Sequence, residues 1–198
     1  MLYSNFTEKA RIAISEAHDI ACGMGHNYIG SEHIVAGLMR EGTGVAAKVL
    51  SNAGITDEKI TDKIKEVMDT GAPIPADTEL PLTPRTKRIL QLAAMEAQQM
   101  GHSYIGTEHL LMAILRDGDS VGVRVLVTLG LDVNRVYHEI IDSLSAGVTE
   151  PAQGGAYSGA RKQRRGKSTT PTLDEYGRDF TELARENKFD PVRSEEHT

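Results

Sequence analysis

The chain has 198 residues, a net charge of −6 and 39% hydrophobic residues, enough for one domain of ordinary size with its own core. The acidic balance argues against nucleic-acid binding, which requires a basic face. No stretch approaches the roughly 18 apolar residues of a membrane span. The N-terminus has no secretion signal, and Cys22 is the single cysteine, so we expect a cytoplasmic protein in a reducing compartment.

Four helices are predicted within residues 1–70. The first follows Thr7, a residue type that caps helix N-termini, and its apolar residues recur at helical spacing until glycines interrupt them. The second is predicted to begin with Ser31 as its cap and to end at Gly42. The third covers 45–50, and the fourth follows the cap Thr56. Residues predicted to face inward on the second and fourth helices are Ile34, Val35, Leu38, Met39, Ile60, Ile64 and Val67.

The pattern then repeats. The segment Gly-His-Asn-Tyr-Ile-Gly-Ser-Glu-His at 25–33 returns at 101–109 as Gly-His-Ser-Tyr-Ile-Gly-Thr-Glu-His. The same offset makes about 17 of 50 positions identical between 6–55 and 82–131, which indicates an internal duplication.

The second copy is predicted to begin at the cap Thr83, with Pro84 at the first helical position, and to end near Ser145. No useful strand-like alternation is found, so the predicted fold class is all-α, with two tandem four-helix repeats packed as a pseudo-twofold pair around one core. The predicted domains are repeat 1 at 1–70, a linker at 71–81, repeat 2 at 82–146, a flexible linker at 147–170 and a further module beginning at 171–198.

Within the second linker, residues 161–168 end in Gly-Lys-Ser, which is how a phosphate-binding P-loop ends. That motif requires a glycine where Arg161 stands and a strand before it, so we interpret the basic run as a solvated linker segment. An acidic partner or nucleic acid is the alternative for this run. The histidines His26, His33, His102 and His109 do not have metal-ligand spacing, and we predict structural roles for them rather than a metal site.

The twin Gly-His-x-Tyr-Ile-Gly-[Ser/Thr]-Glu-His motifs, each followed by an Arg-[Glu/Asp]-Gly turn, resemble the Clp N-terminal repeat of bacterial ClpC-type Hsp100 chaperones. Residues 170–174 and 189–192 are similar to the beginning of the first AAA+ module in those proteins. The resemblance implies a substrate- and adaptor-recognition domain that is truncated before its first ATPase module. It also implies no enzyme activity and no cofactor in this chain, whereas the full-length family member is an ATPase.

Glu32 and Glu108 each follow a hydroxyl residue at a predicted helix start, where a carboxylate is favoured by the helix dipole. That local role is one interpretation. The other pairs Glu32 with the helix start at Thr7, and Glu108 with the helix start at Thr83, so that amides hold a phosphate while the carboxylate holds a guanidinium. The resemblance favours the second interpretation, because the matching family positions bind phosphoarginine, a degradation tag.

The partners implied by the resemblance are phosphoarginine-containing substrates and adaptor proteins, with the ClpP protease contacted only through the full-length ring. Two alternatives remain at this point. One is a stand-alone regulatory protein built from the Clp repeat. The other is a nucleotide- or metal-dependent enzyme, which the incomplete phosphate loop and the histidine spacing disfavour.

Overall fold

The computed structural model describes residues 3–147, and eight α-helices follow one another within them. Repeat 1 contains α1 (Glu8–Gly23), α2 (Ser31–Glu41), α3 (Val45–Asn52) and α4 (Asp57–Val67). Repeat 2 contains α5 (Pro84–Gln99), α6 (Thr107–Asp117), α7 (Val121–Thr128) and α8 (Val133–Ser145). The all-α prediction and the four-helix pattern of each copy are confirmed. The predicted flexible linker and the predicted start of a further module lie outside the described residues.

Three helix starts have the caps that the sequence predicts. The hydroxyl oxygen of Thr7 accepts a hydrogen bond from the Ala10 amide at 3.2 Å, and that of Thr83 accepts one from the Thr86 amide at 3.1 Å. Thr56 caps α4 in the same way. Each bond satisfies an amide that has no partner inside its own helix.

The prediction that Ser31 caps α2 is wrong. Gly30 is the N-cap residue, and the Ser31 hydroxyl instead accepts a hydrogen bond at 2.9 Å from the amide of Gly122, at the start of α7 in the other repeat. The Thr107 hydroxyl of repeat 2 makes the equivalent bond to repeat 1, since it accepts from the Ala46 amide of α3 at 3.3 Å. The two hydroxyls therefore join the repeats to each other.

One continuous apolar core contains side chains from both repeats, which confirms the predicted shared core. Burial of these side chains supplies the main favourable contribution to folding. Two details of the predicted inner faces differ. Val67, predicted to face inward, is 51% exposed because it lies at the last turn of α4, and Met39 is only partly buried against the core.

The first two helices of each repeat form an antiparallel hairpin. In repeat 1 the Lys9 ammonium donates to the Thr43 carbonyl at 3.2 Å, so the start of α1 lies near the end of α2. In repeat 2 the Arg85 guanidinium, at the start of α5, contacts the Asp117 carboxylate at 2.8 Å, at the end of α6. Within residues 3–147, none of the helices is both long and apolar enough to cross a membrane.

Candidate functional site

The starts of α1 and α5 each lie against the motif loop of the other repeat. The Thr7 amide donates to the Ile105 carbonyl at 2.9 Å, and the Thr83 amide donates to the Ile29 carbonyl at 3.1 Å. Both contacts belong to isolated parallel β-bridges, the only extended pairings between residues 3 and 147. Each capped helix start is thus fixed beside the Ile-Gly-[Ser/Thr]-Glu segment of the opposite copy.

This geometry corrects the pairing predicted from the sequence. Thr7 and Glu32 belong to opposite ends of the antiparallel α1–α2 hairpin, separated by roughly the length of α1, about 24 Å for 16 residues at about 1.5 Å each. Thr83 and Glu108 are separated in the same way in repeat 2. The structure instead brings Thr7 to the loop that leads to Glu108, and Thr83 to the loop that leads to Glu32. The sequence did not reveal this because the offset of 76 aligns the copies without indicating which helix meets which loop.

Both glutamates are buried at the starts of their helices. Glu32 is 2% exposed, Glu108 is fully buried, and each carboxylate lies over the glycine that precedes its helix. A β-carbon added at Gly30 would lie 2.3 Å from a Glu32 carboxylate oxygen, and one at Gly106 would lie 2.4 Å from a Glu108 oxygen. Burial raises the pKa of Glu32, so its carboxylate is poised to gain from a cation that approaches it. Both carboxylates therefore lie in the first turn of their helices, where the helix dipole favours a negative charge.

A chain of hydrogen bonds connects the motif loop of repeat 1 to the linker, which in the structure is the segment 68–83 between α4 and α5. The Gly30 amide donates to His33 Nδ1 at 2.9 Å, so that nitrogen is unprotonated and the proton of the neutral ring is on Nε2. His33 Nε2 then donates to His26 Nδ1 at 2.7 Å, and His26 Nε2 donates to the Asp69 carbonyl at 2.9 Å. Burial, with His26 as a smaller cause, lowers the pKa of His33 to about 3, which agrees with a neutral ring.

Repeat 2 has the same chain up to its second histidine. The Gly106 amide donates to His109 Nδ1 at 2.9 Å, and His109 Nε2 lies 2.8 Å from His102 Nδ1. Burial lowers the pKa of His109 to about 4. These bonds give the histidines the structural role predicted for them, and no group of three metal-ligating side chains occurs among residues 3–147.

A surface cavity of about 510 Å³ opens between α1 and the linker, a feature that the sequence did not predict. Its lining combines apolar and charged side chains: Tyr3, Arg11, Ile14, His18, Asp77 and Leu80 are among them. The cavity exists because the linker folds back along α1, held by a 2.7 Å bond between His18 Nε2 and the Thr78 carbonyl. The sequence signal for this linker was its proline content, which marks a turn without indicating where it docks.

Comparison with known proteins gives a consistent result. The family model described as the Clp repeat (R) N-terminal domain matches residues 5–129 and 101–164. The chain is 42% identical over 191 residues to chaperone protein ClpC1 of Oryza sativa subsp. japonica chloroplasts, covering 96% of this chain and 20% of that protein. It is 38% identical over 192 residues to the Bacillus subtilis (strain 168) negative regulator of genetic competence ClpC/MecB, covering 97% of this chain and 22% of that protein.

The chain therefore spans about a fifth of the length of these curated relatives. Among solved structures, it is similar to the N-terminal domain of the caseinolytic protease associated chaperone ClpD from Arabidopsis thaliana. That match has a TM-score of 0.61 and 24% identity, and covers 73% of this chain and 97% of the other. At this identity the likeness supports the fold alone.

Proposed function

This chain belongs to the family of Clp repeat N-terminal domains, and we propose that it is the substrate- and adaptor-recognition domain of a ClpC-type unfoldase that acts in the cytoplasm. In this proposal it binds proteins tagged with phosphoarginine and adaptor proteins, and the full-length ring delivers the captured proteins to ClpP. Residues 3–147 serve only for binding, and ATP hydrolysis belongs to the longer protein.

The observation that carries the proposal is the crossed contact between repeats. Each of α1 and α5 begins beside a Gly-[Ser/Thr]-Glu segment of the other copy. This arrangement supports a proposal of two related sites, Thr7 with Glu108 and Thr83 with Glu32. A helix start favours a phosphate through its amides and its dipole. A carboxylate favours a guanidinium through paired, charge-assisted hydrogen bonds. Phosphoarginine carries both groups on one side chain.

The buried carboxylates define what binding requires. Because Glu32 and Glu108 are covered in the free domain, each must rotate away from its N-cap glycine to reach a guanidinium. The helix start then keeps its remaining caps, since Gly30 and Gly106 still donate to His33 and His109. The two sites also differ, because Pro84 has no amide to offer at the start of α5, whereas Glu8 occupies that position in α1.

The experiment is a calorimetric titration of free phosphoarginine into variants that separate crossed pairing from pairing within one repeat. Thr7→Asp keeps a good N-cap residue but places a negative charge where the phosphate would bind. Combined with Glu108→Ala it removes a single crossed site, so one site should remain. Combined with Glu32→Ala it damages both crossed sites, so no tight site should remain. Each lost carboxylate should weaken its site by about 1.5–3 kcal/mol, roughly tenfold to a hundredfold.

Two controls accompany the titration. Unphosphorylated arginine should bind far more weakly to the parent, because the helix starts then have no anion to hold. The mirror-image variant, Thr83→Asp with Glu32→Ala, should again leave one site. If Glu32→Ala with Glu108→Ala binds phosphoarginine as tightly as the parent, the glutamates act only at their helix starts and the proposal fails.

A further inference from the structure

The two repeats differ at the C-terminal ends of α1 and α5. In repeat 1 the linker runs past the end of α1 as an irregular segment with a bend at Ala72, and its Gly71 and Ile74 amides donate to the Met24 and Cys22 carbonyls at 2.9 and 2.8 Å. Both carbonyls lie at the C-terminal end of α1, where the last carbonyls of a helix lack i+4 partners. The Cys22 carbonyl also accepts from the Gly25 amide at 3.0 Å, so the Ile74 amide is its second donor.

Two further contacts fix the linker on α1. His26 Nε2 donates to the Asp69 carbonyl at 2.9 Å, so the linker supplies a carbonyl at 69 and amides two and five residues later. The main chain also approaches Gly25 closely, since a β-carbon there would lie 2.5 Å from the Ala72 carbonyl oxygen. Gly25 has a φ of +72°, a conformation that glycine adopts without strain.

The same groups stand uncovered in repeat 2. Gly101 has the same φ of +72° as Gly25, yet no heavy atom of residues 3–147 lies within 4 Å of the place where its β-carbon would be. In the part of the chain from residue 3 to residue 147, the Met100 carbonyl and His102 Nε2 have no hydrogen-bond partner. Met100 and His102 are also more exposed than their buried counterparts Met24 and His26.

The hydrogen bonds between the two histidines determine which ring nitrogen of His102 can donate at this surface. Because the Gly106 amide donates to His109 Nδ1, the neutral His109 ring donates from Nε2 to His102 Nδ1. Because His102 Nδ1 accepts this bond, the ring N–H of His102 is on Nε2, as it is in His26, where Nε2 donates to the linker. The end of α5 thus offers one N–H donor and terminal carbonyl acceptors, in the arrangement that the linker satisfies on α1.

We propose that the end of α5, formed by Gln98, Met100, Gly101 and His102, binds an irregular peptide segment of a partner protein through the main chain of that segment. The segment presents a carbonyl to His102, and amides two and five residues later to Met100 and Gln98, with a small residue where the main chain crosses Gly101. Prolines between and after the donor positions, as in Asp-Thr-Gly-Ala-Pro-Ile-Pro at 69–75, reduce the entropy lost on binding because each fixes its own φ in the free peptide. The peptide is thus recognised through its main-chain amides and carbonyl, by two carbonyls at the end of α5 and by His102, and this recognition does not involve phosphoarginine.

The test uses the linker sequence itself as the probe. A capped peptide of residues 69–78 is titrated into the full 198-residue chain labelled with ¹⁵N, and amide shifts are followed by NMR. The expected shifts centre on Met100, Gly101 and His102. An analogue with proline in place of Gly71 or Ile74 lacks one donor and should bind about twofold to tenfold more weakly, as expected for one lost hydrogen bond.

Matched controls separate this site from general peptide binding. A peptide with proline in place of Ala76, whose amide makes no hydrogen bond in the linker, should bind like the parent peptide. In the protein, Gly101→Asn tolerates the positive φ but blocks the close approach, and should weaken binding at least tenfold. Gly54→Asn makes the same change at a distant turn with φ +77° and open space, and should bind normally.

The inference is overturned if the shifts centre elsewhere, if the proline analogues bind alike, or if Gly101→Asn binds as Gly54→Asn does. Its failure is distinguishable from failure of the phosphoarginine proposal. Glu32→Ala with Glu108→Ala should leave the peptide affinity unchanged, and Gly101→Asn should leave both phosphoarginine sites intact.

Discussion

The two helical hairpins share their loops and caps but differ in the middle, where the helices touch. In α1 the buried face is built from the alanines 10, 13, 17 and 21, and α2 crosses it with Gly37. At the same offset, α5 presents Thr86, Ile89, Ala93 and Ala97, and α6 has Ala113 in place of the glycine. Small residues on both helices let repeat 1 pack more closely, whereas larger ones fill the interface in repeat 2.

A polar cluster shows the same divergence. In repeat 2 the buried Glu96 carboxylate contacts the Arg116 guanidinium at 2.6 Å and the Tyr137 hydroxyl at 3.3 Å. The position of Glu96 is occupied in repeat 1 by the buried Ile20, and the shared arginine, Arg40, pairs with Asp57 at 3.2 Å. The loops and caps that the two repeats share contact the other repeat. The helix crossings and the polar clusters join side chains within one repeat, and these are the contacts that differ.

The largest expected effect comes from exchanging the residues at the two helix crossings. A β-carbon at position 37 would lie 2.1 Å from the Ala13 carbonyl oxygen, so Gly37→Ala forces α1 and α2 apart and should destabilise the protein by about 3 kcal/mol. Ala113→Gly removes a buried methyl and helix propensity instead, at a cost of about 1.5 kcal/mol.

Urea unfolding of both variants and the parent, followed by far-UV circular dichroism, measures the two changes. Because alanine is the better helix former, a neutral or stabilising Gly37→Ala would show that the crossing is not as tight as described. If both substitutions lowered the unfolding free energy equally, the proposed difference in helix packing between the two hairpins would be contradicted.

Much of the fold is predictable because its signals are local. Thr7, Thr56 and Thr83 cap helices through residues three positions away, and the repeated motif fixes where helices begin and end. The family resemblance is confirmed for the same reason, since it rests on contiguous residues. The features that sequence reasoning missed are contacts between distant segments. The Ser31 hydroxyl accepts a hydrogen bond from α7 of the other repeat and does not cap α2. The starts of α1 and α5 each contact the motif loop of the other repeat.

A smaller effect is expected from the buried histidines when the pH is lowered. The pKa of His33 is lowered to about 3 and that of His109 to about 4, whereas an unfolded histidine titrates near about 6.5. The unfolded chain therefore binds more protons below this pH. Stability is fully present above about pH 6.5 and falls as the pH drops toward 4, by up to about 1.4 kcal/mol per pH unit for each histidine.

The measurement is the free energy of unfolding at pH 7, 6 and 5 for the parent and for His33→Asn and His109→Asn. Asparagine keeps an oxygen near the Gly30 or Gly106 amide but does not titrate. Each single variant should lose one histidine's share of the pH dependence over this range, and the two should behave alike. A slope that persists in the double variant would place the pH dependence on other groups.

The smallest expected effect concerns Val67, in the last turn of α4. The sequence predicts an inward position for Val67, but it is 51% exposed, and Ser143 occupies the matching position of α8. Val67→Ser copies repeat 2 into repeat 1 and removes little buried surface, so the unfolding free energy should change by less than about 0.5 kcal/mol. One turn earlier, Ile64 and its counterpart Ile140 are fully buried, and Ile64→Ser or Ile140→Ser should each cost several times more, since it both leaves a cavity and buries a hydroxyl. Thermal unfolding of these three variants ranks their stabilities directly. If Val67→Ser lowered the stability as much as Ile64→Ser does, Val67 would be a core residue, as the sequence predicts.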